Sequence, residues 1–326
     1  MKATICRKYG PPDVLELEEI QKPNAGDDEV LVRVHAAAVN SWDWDNLRGR
    51  PFIVRLLMGF LKPKHEIPGA DIAGRVEAVG RNVKRFQPGD EVFGDLCGGG
   101  WGAFAEYVCA PEDALALKPA NATFEEAAAV PQAAVMALQG IRDYGHTQPG
   151  HKVLINGAGG GVGTFAVQIA KSFGAEVTGV DSTSKLDMMR SIGADHVIDY
   201  TREDFTKNGQ HYDLILDVAG YRSMFDYKRA LGPNGIYVMV GGSMARILQL
   251  LLLGRWRSMT GSKKMVILVH EPNKDLAFLR QLLEAGKVVP VIDGHYTLSE
   301  LPEALRHLGE GHVRGKAVIT VGEASP

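Results

Sequence analysis

The clearest pattern of hydrophobic and polar positions lies between residues 152 and 240. Short apolar runs alternate there with segments whose apolar residues recur every three to four positions. A short run bounded by turn residues is typical of a buried strand, and the longer period indicates a helix with one buried face. The runs cover 152–155, 176–180, 196–198, 213–218 and 235–240. The alternation predicts a doubly wound parallel sheet.

Residues 1–125 follow a different pattern, in which short alternating or apolar segments are separated by clusters of Pro, Gly, Asp and Asn. This pattern predicts strands joined by turns. The predicted strands cover 3–6, 15–20, 29–38, 74–79 and 104–109. Short strands return in the tail, from 292 to 326. We therefore expect a partly open β-barrel that this tail completes, with residues 126–291 forming a second domain inserted between.

A glycine-rich segment joins the first strand of the inserted domain to its first helix. Glycine leaves room for backbone to approach a ligand, and a helix N-terminus offers free N–H groups and a partial positive charge. The next strand ends at Asp181, about 20 positions on, where a carboxylate can bind ribose hydroxyls. The sequence thus predicts a dinucleotide whose pyrophosphate is bound by Gly157, Gly160, Gly161, Val162 and Gly163.

The amino-acid composition and charge exclude some classes of function for this protein. With 326 residues, 45% apolar, and a net charge of −3, the chain can bury two cores but lacks the basic excess of a nucleic-acid binder. Three cysteines lie far apart, at Cys6, Cys97 and Cys109, which indicates neither a disulfide framework nor a paired-cysteine metal site. No apolar run is long enough to span a bilayer, and no signal peptide is apparent. We therefore expect a cytoplasmic protein without a transmembrane segment.

Seven segments match the motifs of one known family, in that family's order and along nearly the whole chain. They are 36–43, 68–80, 86–94, 102–107, 157–163, 193–200 and 311–316. Together they resemble the medium-chain dehydrogenase/reductase superfamily, and within it the zinc-free quinone oxidoreductases related to zeta-crystallin. The resemblance implies a mixed α/β plus β fold. Its parts are a GroES-like catalytic domain over 1–125, completed by 292–326, and a nucleotide-binding Rossmann domain over 126–291.

The positions that hold catalytic zinc in other members of this superfamily carry different residues here. Asn40 stands where the resemblance places the first Cys, and Ala70, followed by Asp71, where it places a His. Zinc prefers thiolate or imidazole ligands, which amide and methyl groups do not supply. Without this Lewis acid, we expect NAD(P)H to reduce a small apolar acceptor with delocalised charge, a quinone or an enone. The alternatives are a non-catalytic NAD(P)H-binding protein and a reductase of other carbonyl compounds.

Two residues that follow the third strand are candidates for catalysis. The amide of Asn40 can donate a hydrogen bond to an acceptor carbonyl, although an Asn that closes a turn is the alternative. Asp43 is either a proton-relay group or a structural acid.

The residues around the predicted ribose site do not agree on the cofactor, since some favour NADH and others NADPH. Asp181 favours NADH because a carboxylate binds a 2′-hydroxyl and repels a 2′-phosphate. Ser182 and Lys185 suit a phosphate and favour NADPH. In NADPH-using relatives, the resemblance places a tyrosine matching Tyr200 against the adenosine phosphate. We expect NADPH, with NADH as the alternative, and we place Gly241, after the fifth strand, beside the cofactor.

The segment 241–261 carries an apolar run, 247–253, flanked by arginines. A substrate lid, a dimer contact, a membrane-surface helix and core packing all suit such a run. The strand predicted after it, 264–270, belongs at the edge of the sheet. We expect a homodimer through this edge.

Overall fold

The computed structural model describes residues 1–242, 245–250 and 262–322. Backbone contacts divide the chain into two compact units. The barrel unit comprises Met1–Val135, Pro272–Gly286 and Pro290–Pro326, and the nucleotide unit comprises Met136–Glu271 and Lys287–Val289. The domain boundaries drawn from the sequence, at 125 and 291, follow the change in secondary-structure pattern and stay a prediction.

Within its described residues, the barrel unit has nine strands: β1 (Lys2–Cys6), β2 (Leu15–Glu19), β3 (Glu29–Val39), β4 (Asp71–Val79), β5 (Glu91–Asp95), β6 (Tyr107–Pro111), β7 (Ala116–Leu117), β14 (Ile292–Thr297) and β15 (Lys316–Thr320). Strands β1 and β2 form a two-stranded sheet, and the other seven form one sheet in the order β14-β15-β3-β4-β5-β7, with β6 paired to β3. The tail strands thus join the sheet of the N-terminal part. The β14–β15 pair is parallel, whereas the other strand pairs of this sheet are antiparallel.

Strand β3 organises this sheet because it pairs with β4, β6 and β15 along its length. Eight of its eleven residues are buried, and Val30, Val32 and Val34 pack in one core with Ile72 and Phe104. This core holds the carboxyl end of β3 rigidly, and that end carries the candidate catalytic residues.

Six helices begin in the barrel unit: α1 (Ser41–Arg48), α2 (Phe52–Met58), α3 (Phe124–Ala128), α4 (Pro131–Leu138), α9 (Leu276–Glu284) and α10 (Leu301–Gly309). Helix α1 ends at Gly49, whose φ of +56° suits glycine and stops the helix. Thr123 accepts a 3.1 Å hydrogen bond from the N–H of Glu126 and so caps α3.

The nucleotide unit contains a parallel sheet of β8 (Lys152–Asn156), β9 (Glu176–Asp181), β10 (His196–Asp199), β11 (Tyr212–Asp217), β12 (Leu231–Met239) and β13 (Lys264–Ile267). Their order, β10-β9-β8-β11-β12-β13, is that of dinucleotide-binding doubly wound folds. The described helices are α5 (Gly161–Ser172), α6 (Leu186–Ser191), α7 (Met224–Ala230) and α8 (245–250), with a π-helical turn at Gln139–Tyr144. Ligands of such sheets bind at the carboxyl ends of the strands, where the strand order reverses between β8 and β11.

The segment 241–261 lies only partly within the described residues. Leu250, on α8, is buried in a core cluster with Tyr237, Met239 and Met265, which agrees with core packing for this residue. The remainder of the predicted lid, dimer contact or membrane-surface helix, at 243–244 and 251–261, lies outside the described residues. Among the described helices, none is long and apolar enough to cross a bilayer.

Candidate active site

Asn40 occupies the junction between β3 and α1. Its backbone is extended, with φ −125° and ψ 162°, and its N–H donates a 2.7 Å hydrogen bond to Oδ2 of Asp43 in the first helical turn. Asp43 therefore fixes the backbone from which the Asn40 side chain projects.

The Asn40 side chain lies between two charged residues, Asp71 and Lys316. Asp71 begins β4 and Lys316 begins β15, the two strands that flank β3 at its carboxyl end, where Asp71 pairs with Ala38 and Ala317 with Val39. The register of the sheet therefore brings the three side chains together. Nδ2 of Asn40 donates to Oδ2 of Asp71 at 2.9 Å, and Nζ of Lys316 donates to Oδ1 of Asn40.

These contacts determine how the amide is oriented. A carboxylate only accepts hydrogen bonds and an ammonium only donates them, so the amide nitrogen of Asn40 faces Asp71 and its oxygen faces Lys316. Lys316 Nζ also lies 3.5 Å from Asp71 Oδ2. The amide nitrogen carries two hydrogens, and Asp71 takes one of them. Among the described residues, no second acceptor lies within hydrogen-bond distance of this nitrogen.

Burial controls the charges of this cluster. It raises the pKa of Asp43 to about 8, opposed by the Asn40 N–H bond, and raises the pKa of Asp71, opposed by the ammonium of Lys316. Asp71 Oδ1 also accepts the N–H of Gln132 at 3.1 Å. Asp43 Oδ1 is buried and has no hydrogen-bond partner among the described residues. Burial therefore favours the protonated form of Asp43 in the folded protein.

Sequence reasoning gave no role to Asp71 or Lys316. The available signal was a charged residue at the start of a buried apolar strand, Lys316–Thr320, because a buried lysine requires a partner. Asn40 and Asp43, which the sequence singled out, do lie together in this cluster.

In the nucleotide unit, the glycine loop joins β8 to α5 at the edge where dinucleotides bind. Gly157 has a φ of +85°, and a Cβ on Gly163 would lie 2.1 Å from the carbonyl oxygen of Gly157. Gly160 is the N-cap of α5, and the N–H groups of the first turn, 161–163, have no acceptor within the helix. The loop therefore offers free N–H groups and has no room for a side chain at 163, and pyrophosphate binding there stays a prediction.

Asp181 and Lys185, which favour different cofactors, form a pair. Lys185 Nζ lies 3.8 Å from Oδ1 of Asp181, and both residues are less than a tenth exposed. Asp181 also accepts the N–H groups of Gly159 at 2.9 Å and Ser182 at 2.8 Å. The two opposite charges offset each other beside the glycine loop.

The other residues assigned to the cofactor lie at the same edge of the sheet. The N–H of Tyr200 donates to the carbonyl of Asp181 at 3.2 Å, and the Tyr200 side chain is 53% exposed. Gly241 follows β12, and its N–H donates to the carbonyl of Asp217 at 3.4 Å. The structure thus gathers these predicted residues at the carboxyl ends of the strands, and their individual roles stay predictions.

A buried network next to the glycine loop escaped the sequence analysis. Asp217, at the end of β11, accepts hydrogen bonds from Asn156 Nδ2 at 2.7 Å, Tyr237 Oη at 2.6 Å and the N–H of Gly220 at 2.8 Å. Burial raises the pKa of the Tyr237 hydroxyl, which keeps it a donor. The network ties the end of β8, immediately before Gly157, to β11 and β12.

Comparisons with known proteins agree with this architecture. Residues 26–120 match the family model described as alcohol dehydrogenase GroES-like domain, and residues 192–319 match the model described as zinc-binding dehydrogenase. The 2-methylene-furan-3-one reductase of Solanum lycopersicum is 34% identical, over 98% of this chain and 79% of the relative. A chloroplastic quinone-oxidoreductase of Triphysaria versicolor is 31% identical, over 92% of each.

A solved structure extends the likeness to three dimensions. The quinone oxidoreductase from Coxiella burnetii superposes with a TM-score of 0.86 at 30% identity, covering 99% of both chains. With its GroES-like sheet, its doubly wound nucleotide unit and these relatives, the chain belongs to the medium-chain dehydrogenase/reductase superfamily and is an NAD(P)H-dependent oxidoreductase.

Proposed function

We propose that this protein transfers hydride from NAD(P)H to a quinone or an α,β-unsaturated carbonyl compound without zinc. The orientation of the Asn40 amide, with its nitrogen towards Asp71 and its oxygen towards Lys316, is the observation that carries the proposal. The names of two relatives, a quinone-oxidoreductase and a 2-methylene-furan-3-one reductase, support an acceptor with a conjugated carbonyl.

The bound nicotinamide supplies the hydride. As hydride reaches a conjugated acceptor, negative charge develops on the carbonyl oxygen, and a preorganised donor stabilises that charge. We assign this donor role to Asn40 Nδ2. Asp43 holds the Asn40 backbone and Lys316 holds its amide oxygen, so both act as positioning residues.

The zinc-independent part of the proposal rests on the charges of the Asn40 cluster. A Zn²⁺ ion beside Asn40 would meet the Lys316 ammonium, and the cluster offers one amide and two carboxyl groups in place of thiolate or imidazole. An ammonium repels a cation and competes for the same carboxylate. A conjugated acceptor needs less electrophilic help than a simple alcohol or aldehyde, since its charge is spread over several atoms.

The cofactor residues of the proposal are the glycine loop with Asp181, Ser182, Lys185, Tyr200 and Gly241. We propose NADPH as the preferred cofactor, with NADH accepted. The Asp181–Lys185 pair supports this mixed preference, because Lys185 offsets the charge that would repel a 2′-phosphate.

We also propose a homodimer and a cytoplasmic location. Strand β13 lies at the edge of its sheet among the described residues, and the Val269 side chain beyond it is exposed, which supports pairing with a second copy at this edge. Sedimentation of the protein and of Val269→Asp tests the dimer. Cys6, Cys97 and Cys109 are free thiols, in keeping with a reducing compartment.

The function is tested by mixing the purified protein with NADPH or NADH and a set of quinones, enones and simple aldehydes. Nicotinamide absorbance then reports turnover. We expect turnover with the conjugated acceptors and little with simple aldehydes. Cofactor binding without turnover on any acceptor would instead support the non-catalytic alternative, and preference for simple aldehydes would support a reductase of other carbonyl compounds.

A further inference from the structure

Helix α2 and the turn after it expose an unusual number of large apolar side chains. Leu61 is 84% exposed and Leu57 65%, and four more residues are at least 44% exposed. We call this surface the apolar patch; it consists of Phe52, Ile53, Leu56, Leu57, Phe60 and Leu61. The residues recur at a spacing of four along the chain, and the rings of Phe52 and Phe60 lie 5.9 Å apart in edge-to-face contact.

The apolar patch is anchored to the barrel unit. Val54 of α2 is buried, and Tyr9 Oη donates a 2.6 Å hydrogen bond to the carbonyl of Gly59. The guanidinium of Arg55 lies over the Tyr9 ring at 4.8 Å and donates to the carbonyl of Gly49 at 3.2 Å. The patch is thus a fixed feature of the surface.

An arginine-lined cavity borders the same helix. It has a volume of about 520 Å³ and is lined by Tyr9, Gly10, Pro11, Trp44, Arg48, Arg50 and Arg55. Among the described residues, none of the three guanidinium groups forms an ion pair with a carboxylate. Arg48 stacks on Trp44 at 4.8 Å, and the nearby Asp45 is half-buried. Guanidinium groups gathered in one cavity favour a phosphate group.

Charge along this stretch is of one sign. Residues 46–65 contain Arg48, Arg50, Arg55, Lys62 and Lys64 but no Asp or Glu. A free phosphate would use the cavity and leave the apolar patch exposed. A bilayer with anionic headgroups would cover the apolar patch and also fill the cavity. Apolar side chains enter the acyl boundary, while arginines and lysines bind headgroup phosphates.

We propose that the apolar patch and the arginine cavity together form a docking surface for an anionic phospholipid membrane. The phosphate of a headgroup binds in the cavity, and Leu57 and Leu61 insert beside it. Docking of this kind is reversible and peripheral, since one short helix and a few charges give modest affinity. The inference goes beyond the proposed function and holds whichever acceptor the protein reduces.

Cosedimentation with vesicles tests the proposal. We expect the full chain to bind phosphatidylcholine vesicles that contain roughly one-quarter phosphatidylglycerol, and to bind pure phosphatidylcholine at least about tenfold more weakly. Leu57→Asp/Leu61→Asp and Arg50→Glu should each weaken binding about tenfold or more. Their matched controls, Leu17→Asp and Arg81→Glu, change exposed residues outside the patch and should bind as the parent does.

Four results would overturn the proposal. The first is no binding to the anionic vesicles, and the second is binding that the two patch variants leave unchanged. The third is that calorimetry detects binding of inorganic phosphate while the protein does not partition to vesicles. That result would identify the cavity as an anion site alone. Sedimentation of the same variants without lipid shows whether a second copy of the chain covers the patch. If the parent protein is a dimer that does not bind vesicles, and Leu57→Asp/Leu61→Asp is a monomer, the patch is a dimer contact and membrane docking is contradicted.

Discussion

Lys316 donates a hydrogen bond to the side-chain oxygen of Asn40, which lies 276 positions earlier in the chain. The contact depends on the pairing of β15 with β3, so the tail of the chain sets the orientation of a side chain near its start. This bond and the bond to Asp71 together fix the orientation of the Asn40 amide.

Replacing Asn40 by Ala removes the proposed donor. We expect kcat/KM for a quinone or an enone to fall about tenfold to a hundredfold, because one preorganised donor is lost. Cofactor affinity should change little, since the residues assigned to the cofactor belong to the nucleotide unit. Stopped-flow hydride transfer and cofactor titration measure the two quantities separately. Unchanged hydride transfer in Asn40→Ala would rule out the donor role.

Replacing Lys316 by Met leaves Asp71 buried beside Asn40 without its ammonium. We expect the free energy of unfolding to fall by about 3–5 kcal/mol, the usual effect of removing one partner from a buried ion pair. In Lys316→Met/Asp71→Asn, the unpaired charge is gone, and most of this loss should be recovered. Denaturant unfolding of Lys316→Met, of Asp71→Asn and of the double variant gives the free energies of a double-mutant cycle. Additive losses in the double variant would show that the two side chains are not coupled.

The raised pKa of Asp43 predicts that the folded protein becomes less stable as pH rises. Its pKa is raised to about 8 by burial, whereas an Asp in the unfolded chain titrates near about 4. Between these values the folded state holds a proton that the unfolded state has released, so this group lowers stability as pH rises from about 4 to about 8. Asp43→Asn keeps an oxygen for the Asn40 N–H but does not ionise.

The change in Tm between pH 5 and pH 8 should therefore be smaller in Asp43→Asn than in the parent protein. Asp113→Asn, at an exposed position, serves as the control and should behave as the parent does. An identical pH dependence in Asp43→Asn and the parent would show that Asp43 is ionised in the folded state.

The Asp181–Lys185 pair predicts opposite shifts in cofactor preference. Asp181→Ser removes a negative charge beside the proposed 2′-phosphate site, so the ratio of NADPH to NADH affinity should rise. The binding free energy of NADPH relative to that of NADH should become more favourable by on the order of 1–2 kcal/mol. Lys185→Met should lower the same ratio. Fluorescence titration with both cofactors measures it, with Asp187→Ser, which is exposed on α6, as the control. If neither variant changes the ratio, the pair does not face the ribose.

The nucleotide unit was largely predictable because its signals are local. The apolar runs of β8 and β9, the glycine loop and the periodicity of α5 each lie within a short window of sequence. Strand β5 was missed because almost all of its residues are buried and no alternation marks it. Strand β13 is shorter than predicted, ending at Ile267, since the apolar pattern continues past the last paired residue.

The candidate site was only partly predictable because its key contacts are distant in sequence. Asn40 and Asp43 lie three positions apart and were found together. The meeting of Asn40 with Asp71 and Lys316 requires the register of three strands, which no local pattern specifies. Asp181 and Lys185 were identified singly, and their pairing follows from the turn between β9 and α6.

The most direct test of zinc-independent hydride transfer is the turnover of metal-free protein. The protein is dialysed against a strong chelator, its zinc content is measured by elemental analysis, and NADPH oxidation is followed with a quinone and with an enone. We predict full activity with zinc far below one ion per chain, and no increase when Zn²⁺ is restored. Activity that disappears with the metal and returns in proportion to added zinc would contradict the account.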